Sequence, residues 1–218
     1  EEAENMKVIV ALACILACCL AQEPHPCSKC KPTQIIFLQS TQSEKLWAFA
    51  NYEYDAFGRR LRLTEMGNYE NKTFTVDYLL HYREAAMYEI DTKTRTCKKM
   101  PLKDDFQPWE IPKNSSLVGQ AVVGSSSGPG QGLLVNTWIA FAPQGKYIST
   151  VTEFGCIPVT TLFHDKQLGW TMTSFFNNVI GITDPNRLNL PDFCQGAEIK
   201  TGSEEEPHSF LTLFHKKQ

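Results

Sequence analysis

Between residues 73 and 82 the apolar side chains fall on every second position. Phe74, Val76, Tyr78, Leu80 and Tyr82 share one face, with Thr75, Asp77 and His81 on the other. A period of two marks a strand with one buried face, and here it turns His81 toward solvent. Residues 46–54 and 60–64 predict a hairpin that turns through Asp55-Ala56-Phe57-Gly58. Residues 87–91 and 96–100 predict a second, turning at Thr92-Lys93-Thr94. Further β-rich runs cover 34–39, 117–123, 133–141, 147–154, 158–163 and 170–176, and helical signals are confined to short turns near 177–181 and after Asp184-Pro185. About ten short strands without intervening helices predict an antiparallel sandwich or barrel, not a βαβ fold.

Two irregular stretches interrupt the pattern: 102–116, with Pro108 and Pro112, and 125–132, reading SSSGPGQG. Strand-like sequence resumes beyond each, so both predict loops within one domain. We find no internal repeat. The expected organisation is a leader at 1–21, one β domain over 22–200 and a polar tail over 201–218, whose Glu204-Glu205-Glu206-Pro207 reads as a solvated end.

The leader changes the cysteine count. Lys7 precedes thirteen apolar residues, 8–20, and Cys19-Leu20-Ala21 offers small residues for cleavage after Ala21. That is a secretory signal peptide beginning at Met6. It is short for a membrane span, which needs about 20 apolar residues. Cleavage takes Cys14, Cys18 and Cys19 from a total of eight, leaving Cys27, Cys30, Cys97, Cys156 and Cys194. An odd count in a secreted chain predicts two disulfides and one spare thiol, free or intermolecular. Asn71-Lys72-Thr73 and Asn114-Ser115-Ser116 are glycosylation acceptors on the same route.

Composition narrows the function classes. Hydrophobic residues at 42% and aromatics at 11% exclude a disordered chain. A net charge of −3 argues against nucleic-acid binding, which needs a basic surface. No later segment reaches membrane-spanning length. Gly124-Ser125-Ser126-Ser127-Gly128 fits the G-x-S-x-G pattern, but Pro129, Gly130 and Gly132 prevent the helix a nucleophile elbow requires. Cys27-Ser28-Lys29-Cys30 lacks both the βαβ context of a redox pair and a second ligand pair for zinc. His25, His81, His164, His208 and His215 have no metal-ligand spacing. Nothing demands catalysis, and the chain reads as a non-enzyme. What remains is a curved sheet rich in aromatics, able to line an apolar cavity. The candidate lining residues are Tyr78, Tyr82, Trp138, Phe141, Phe163, Trp170, Phe175 and Phe176.

Several blocks, in order, resemble the ependymin family. They are Tyr78-Leu79-Leu80-His81-Tyr82, Met87-Tyr88-Glu89-Ile90-Asp91, Cys97-Lys98-Lys99-Met100, then Trp109, Ile111-Pro112 and Asn114-Ser115-Ser116. Thr137-Trp138-Ile139, Cys156-Ile157-Pro158-Val159, Phe175-Phe176, Gly181-Ile182-Thr183-Asp184-Pro185 and Cys194-Gln195 complete the series. The chain looks most like the ependymin-related proteins found outside fish brain. The resemblance implies a secreted or lysosomal glycoprotein whose two antiparallel sheets curve into a half-barrel over a hydrophobic pocket. It also implies a homodimer, calcium binding, lipid binding and a link to cell–matrix adhesion. By residue-to-residue carry-over, Cys97 pairs with Cys194, and Cys156 with Cys27, or with Cys30 as the alternative. The family's third bridge has no cysteines here. Asp91, Asp104, Asp105 and Glu204 to Glu206 are the scattered acidic candidates for calcium, a hard cation that takes oxygen ligands.

Overall fold

In the computed structural model, residues 5–7, 9, 10, 12–14, 32–142, 145–165 and 169–197 are described. The alternating runs become eleven strands: β1 (Gln34–Gln42), β2 (Leu46–Asp55), β3 (Arg60–Tyr69), β4 (Lys72–His81), β5 (Ala86–Asp91), β6 (Thr96–Pro101), β7 (Ser116–Gly124), β8 (Gly132–Ala142), β9 (Gly145–Thr152), β10 (Pro158–Asp165) and β11 (Gly169–Ile180). Both predicted hairpins form, and SSSGPGQG joins β7 to β8 as a loop. Two short 3₁₀ turns follow, Pro185–Leu188 and Asp192–Cys194. The first begins where Asp184 accepts a hydrogen bond from the Asn186 amide.

The expected two sheets are one. Strand order is β6-β5-β4-β3-β2-β1-β11-β10-β9-β8-β7, every neighbour antiparallel. The first and last strands zip the halves together, from Ile35 opposite Ile180 to Gln42 opposite Met172. That pairing also corrects the helical turn expected at 177–181. Asn177 adopts φ 50° at a register shift, and β11 runs on as strand to Ile180.

The sheet curls. Trp109 touches rings on β1, β2 and β11, while Ile111 packs with Trp138 of β8 and Val151 of β9. In a flat sheet β2 and β8 would stand about 24 Å apart, whereas two residues of chain reach about 7 Å. The segment 102–115, joining edge strand β6 to edge strand β7, therefore crosses the open side of a half-barrel.

The convex side is covered at one end by residues 181–197. Leu188 is buried with Leu79, Ala86, Tyr88, Ile90 and Cys194, and the Cys97–Cys194 disulfide fastens the strap to β6. Arg187 pairs with the buried Glu53, and the Arg62 guanidinium donates to the Arg187 carbonyl while holding Asp77. His81, expected in solvent, is buried under this strap, with Nε2 3.0 Å from the Leu188 carbonyl and Nδ1 3.3 Å from Glu84. The strap lies more than a hundred residues downstream, so local alternation carries no trace of it.

Asp55 anchors the first hairpin and supplies a pH test. Burial pushes its carboxyl upward, but hydrogen bonds from Gln34, the Gly58 amide and Arg60 outweigh that and hold it below its ordinary value. A depressed carboxyl stabilises the fold fully above its unfolded value and loses that contribution as pH falls through the folded one. Asp55→Asn is therefore expected to cost about 2 kcal/mol near neutral pH. It is also expected to flatten the fall in stability below about pH 4, read by urea unfolding across pH.

Candidate functional site

Register decides which side chains meet inside the half-barrel. At one end the concave face carries Ile35 and Phe37, Tyr52 and Tyr54, Leu61 and Leu63, Tyr78 and Leu80, and Phe175, packed as a single buried cluster. The crossing segment fills this end. Phe106 stacks on Tyr54 at 5.5 Å and meets Tyr82 at 5.2 Å, while Trp109 sits 5.3 Å from Phe37 and 5.4 Å from Phe175. The Trp109 amide donates to the Tyr54 hydroxyl at 3.0 Å. Burial pushes the Tyr52 and Tyr78 phenols well up, with carboxylates including Glu65 adding to it, so both stay protonated.

Toward the other end the lining changes character. Ala50 and Gln39, then Gly67, Ala48, Thr41, Thr173, Thr161, Ser149 and Trp138, follow one another across the strands. These side chains, the ring of Trp138 aside, are small or polar and reach less far from the sheet than the aromatics beside them. The polar side chains Gln39, Thr41, Ser149, Thr161, Thr173 and Glu65 are all buried. Thr41 and Thr173 share a hydrogen bond at 3.2 Å, as do Ser149 and Thr161 at 3.4 Å. At Gly67 a side chain would run into the Trp47 carbonyl and the Phe74 ring, so glycine is required there and the Phe74 ring lies over it.

Of the eight candidate lining residues, Tyr78, Trp138, Phe163 and Phe175 are buried on the concave face, and Tyr82 packs at its edge. Three are corrected: Phe141, Trp170 and Phe176 are 69%, 49% and 47% exposed and point outward. Side chains one or three positions apart on a strand lie on opposite faces, so Phe175 excludes Phe176 and Trp138 excludes Phe141. Sequence reasoning missed the polar row because Thr171 and Thr173, flanked by Trp170 and Met172, read as the solvent side of β11.

The convex face meanwhile exposes Trp47, Phe49, Met66, Trp170, Met172 and Phe176. Cross-strand pairing places Phe49 opposite Met66, and Gln42 between Trp47 and Met172, so these residues form one band. No helix of the described residues is long and apolar enough to cross a membrane.

The remaining predicted sites are placed as follows. Asn71 is exposed in the β3–β4 turn and Asn114 in the crossing segment. Cys97 and Cys194 are joined, and Cys156 is disulfide-bonded. Cys27, Cys30 and Glu204 to Glu206 lie outside the described residues. Among the described residues no three of His, Cys, Asp or Glu come together. Asp91 already caps its own turn, accepting from the Lys93 amide at 2.8 Å and the Thr94 amide at 3.1 Å.

Comparison with known proteins bears on the whole chain. The Ependymin family model matches residues 70–194. "Ependymin-1" of Oncorhynchus mykiss is 29% identical over 93% of this chain and 93% of its own. "Ependymin" of Notemigonus crysoleucas is 30% identical over 94% and 98%, and "Mammalian ependymin-related protein 1" of Mus musculus 29% identical over 83% and 81%. Identity alone does not separate the fish proteins from the mouse one. A crystal structure of an uncharacterized conserved protein from Thermus thermophilus has a similar fold, with TM-score 0.50, 10% identity and coverage of 78% of this chain and 90% of that one.

Proposed function

The chain belongs to the ependymin family, and from that premise we propose that it is a secreted glycoprotein holding a hydrophobic, lipid-like ligand against the concave face of its half-barrel. The observation that carries the reading is the division of that face. One end is filled by the rings around Trp109, and the other is floored by Ala48, Ala50, Gly67 and short hydroxyl side chains beside aromatic walls. Small floor residues fill less space than the rings beside them, and each methylene moved there from water gains about 0.8 kcal/mol. Asn71 and Asn114 carry the glycans. The reading assigns binding and sequestration, with no bond made or broken.

A second reading, an adhesion or structural protein acting through its surface, is favoured by the exposed convex band from Trp47 to Met172. Here a second copy of the chain covers that band, giving the homodimer the family implies. Contiguous apolar surface of this kind is what a subunit interface removes from water.

One native mass spectrum of protein purified from a secreting host tests these statements together. It is expected to show a dimer, with glycan mass removable by a glycosidase and a further mass released by lipid extraction. A well-folded sample with no extractable ligand, and no uptake of a fluorescent fatty probe, removes the ligand reading. A monomer removes the second copy, and a spectrum unchanged by glycosidase removes the glycans.

A further inference from the structure

Gln39 is 1% exposed, on the middle strand of the concave face, and neither its amide oxygen nor its amide nitrogen has a hydrogen-bond partner. Burying both ends of an amide unpaired is costly, and folded proteins rarely leave such a group without a reason. It is not isolated. Thr171 Oγ1 and Trp138 Nε1 are likewise buried and unpartnered on the same face. The paired hydroxyls Thr41, Thr173, Thr161 and Ser149 lie in the row beside Gln39, ending at Trp138.

Among the described residues the floor holds an acidic side chain and no basic one. Across the Gln39 row stand Phe175, Ala50, Glu65 and Val76, and across the Thr41 row Gly67, Ala48, Phe74 and the hydroxyl series. Neither row contains a lysine, arginine or histidine among the described residues, whereas Glu65 is a buried carboxylate. An anionic head would meet no basic side chain there to pair with. An amide such as Gln39 both donates and accepts, which suits an uncharged group that does the same.

We propose that this floor receives the uncharged head of an amphipathic ligand, a hydroxyl or an amide, so that the ligand enters head-first with its chain trailing toward the mouth. The proposal rests on the reading that the concave face binds an apolar ligand, and names its chemical class: a neutral lipid alcohol or amide rather than a free fatty acid. Gln39 recognises the head.

The test is competition against a fluorescent hydrocarbon probe bound to the full secreted protein stripped of endogenous lipid. Competitors of one chain length end in a methyl, a primary alcohol, a primary amide or a carboxylate. The alcohol and amide are expected to bind about tenfold tighter than the methyl and carboxylate forms, the value of one satisfied buried hydrogen bond. Gln39→Leu is expected to abolish that preference, leave hydrocarbon binding intact and keep or raise the melting temperature. Gln39→Met serves the same purpose if the leucine variant does not fold. Equal binding of all four heads overturns the proposal, as does a preference that survives both substitutions. A folded protein that binds no probe at all overturns the apolar-ligand reading beneath it, which separates the two failures.

Discussion

Replacing Cys97 and Cys194 together by alanine is expected to lower stability by about 4 kcal/mol in urea unfolding. The bridge spans a sequence separation of 97 residues, and closing a loop of that order removes roughly 4–5 kcal/mol of chain entropy from the unfolded state. Cys156 keeps its own bridge, so part of the unfolded chain stays constrained and the lower figure is expected. The native state also changes. Without the bridge the strap at 181–197 is held by the packing of Leu188 and Cys194 against Leu79, Tyr88 and Ile90, and by Arg187 on Glu53. When the strap lifts, Glu53 loses its arginine and His81 its carbonyl partner. Hydrogen exchange in β4 and β5 should therefore rise before the rest of the sheet opens. A loss under 1 kcal/mol with unchanged exchange would show that packing, not the covalent tie, holds the strap.

The strands were readable as β-rich runs bounded by turns, with clear alternation at 73–82, and the hairpins because Asp55-Ala56-Phe57-Gly58 and the turn after Asp91 have the right chemistry. Which face is inside was readable only where the two faces differ. On β4, Tyr78 and Leu80 oppose Thr75 and Asp77, and the inner face is assigned correctly, although the strap also buries Leu79 and His81 on the other. On β2, Leu46, Ala48 and Ala50 alternate with Trp47 and Phe49, apolar on both sides, and only pairing with β1 and β3 decides. On β11 the pattern inverts, with Trp170, Met172 and Phe176 outside and Thr171 and Thr173 inside. An apolar exterior with a hydroxylic interior suits the proposed partner outside and the proposed polar-headed ligand inside. A periodicity argument for a lone chain assigns such faces in reverse. Parity alone did carry one unused warning, since Phe175 and Phe176 can never line the same cavity. The single sheet was hidden for another reason: the pairing of β1 with β11 joins residues well over a hundred apart.

Trp109→Ala is expected to cost about 3 kcal/mol, the low end for removing a large ring, because this one is half-buried. The ring meets Phe37, Tyr52, Tyr54 and Phe175, which come from three strands, so no single neighbour can move to fill the space. The Trp109 amide still donates to Tyr54 in the variant, so the loss isolates packing from hydrogen bonding. Phe57→Ala is the contrast, an exposed ring in the β2–β3 turn, expected to change stability by no more than about 0.5 kcal/mol. The two variants also separate plug from ligand site. If Trp109 closes one end of the concave face, its removal extends the apolar floor, and the variant should take up a bulkier hydrocarbon probe than the parent protein does. A variant that loses stability but keeps the parent's size limit would place the ligand wholly beyond the plug, over Ala48, Ala50 and Gly67. A stability loss under 1 kcal/mol would instead mean that segment 102–115 rests on the half-barrel without sealing it.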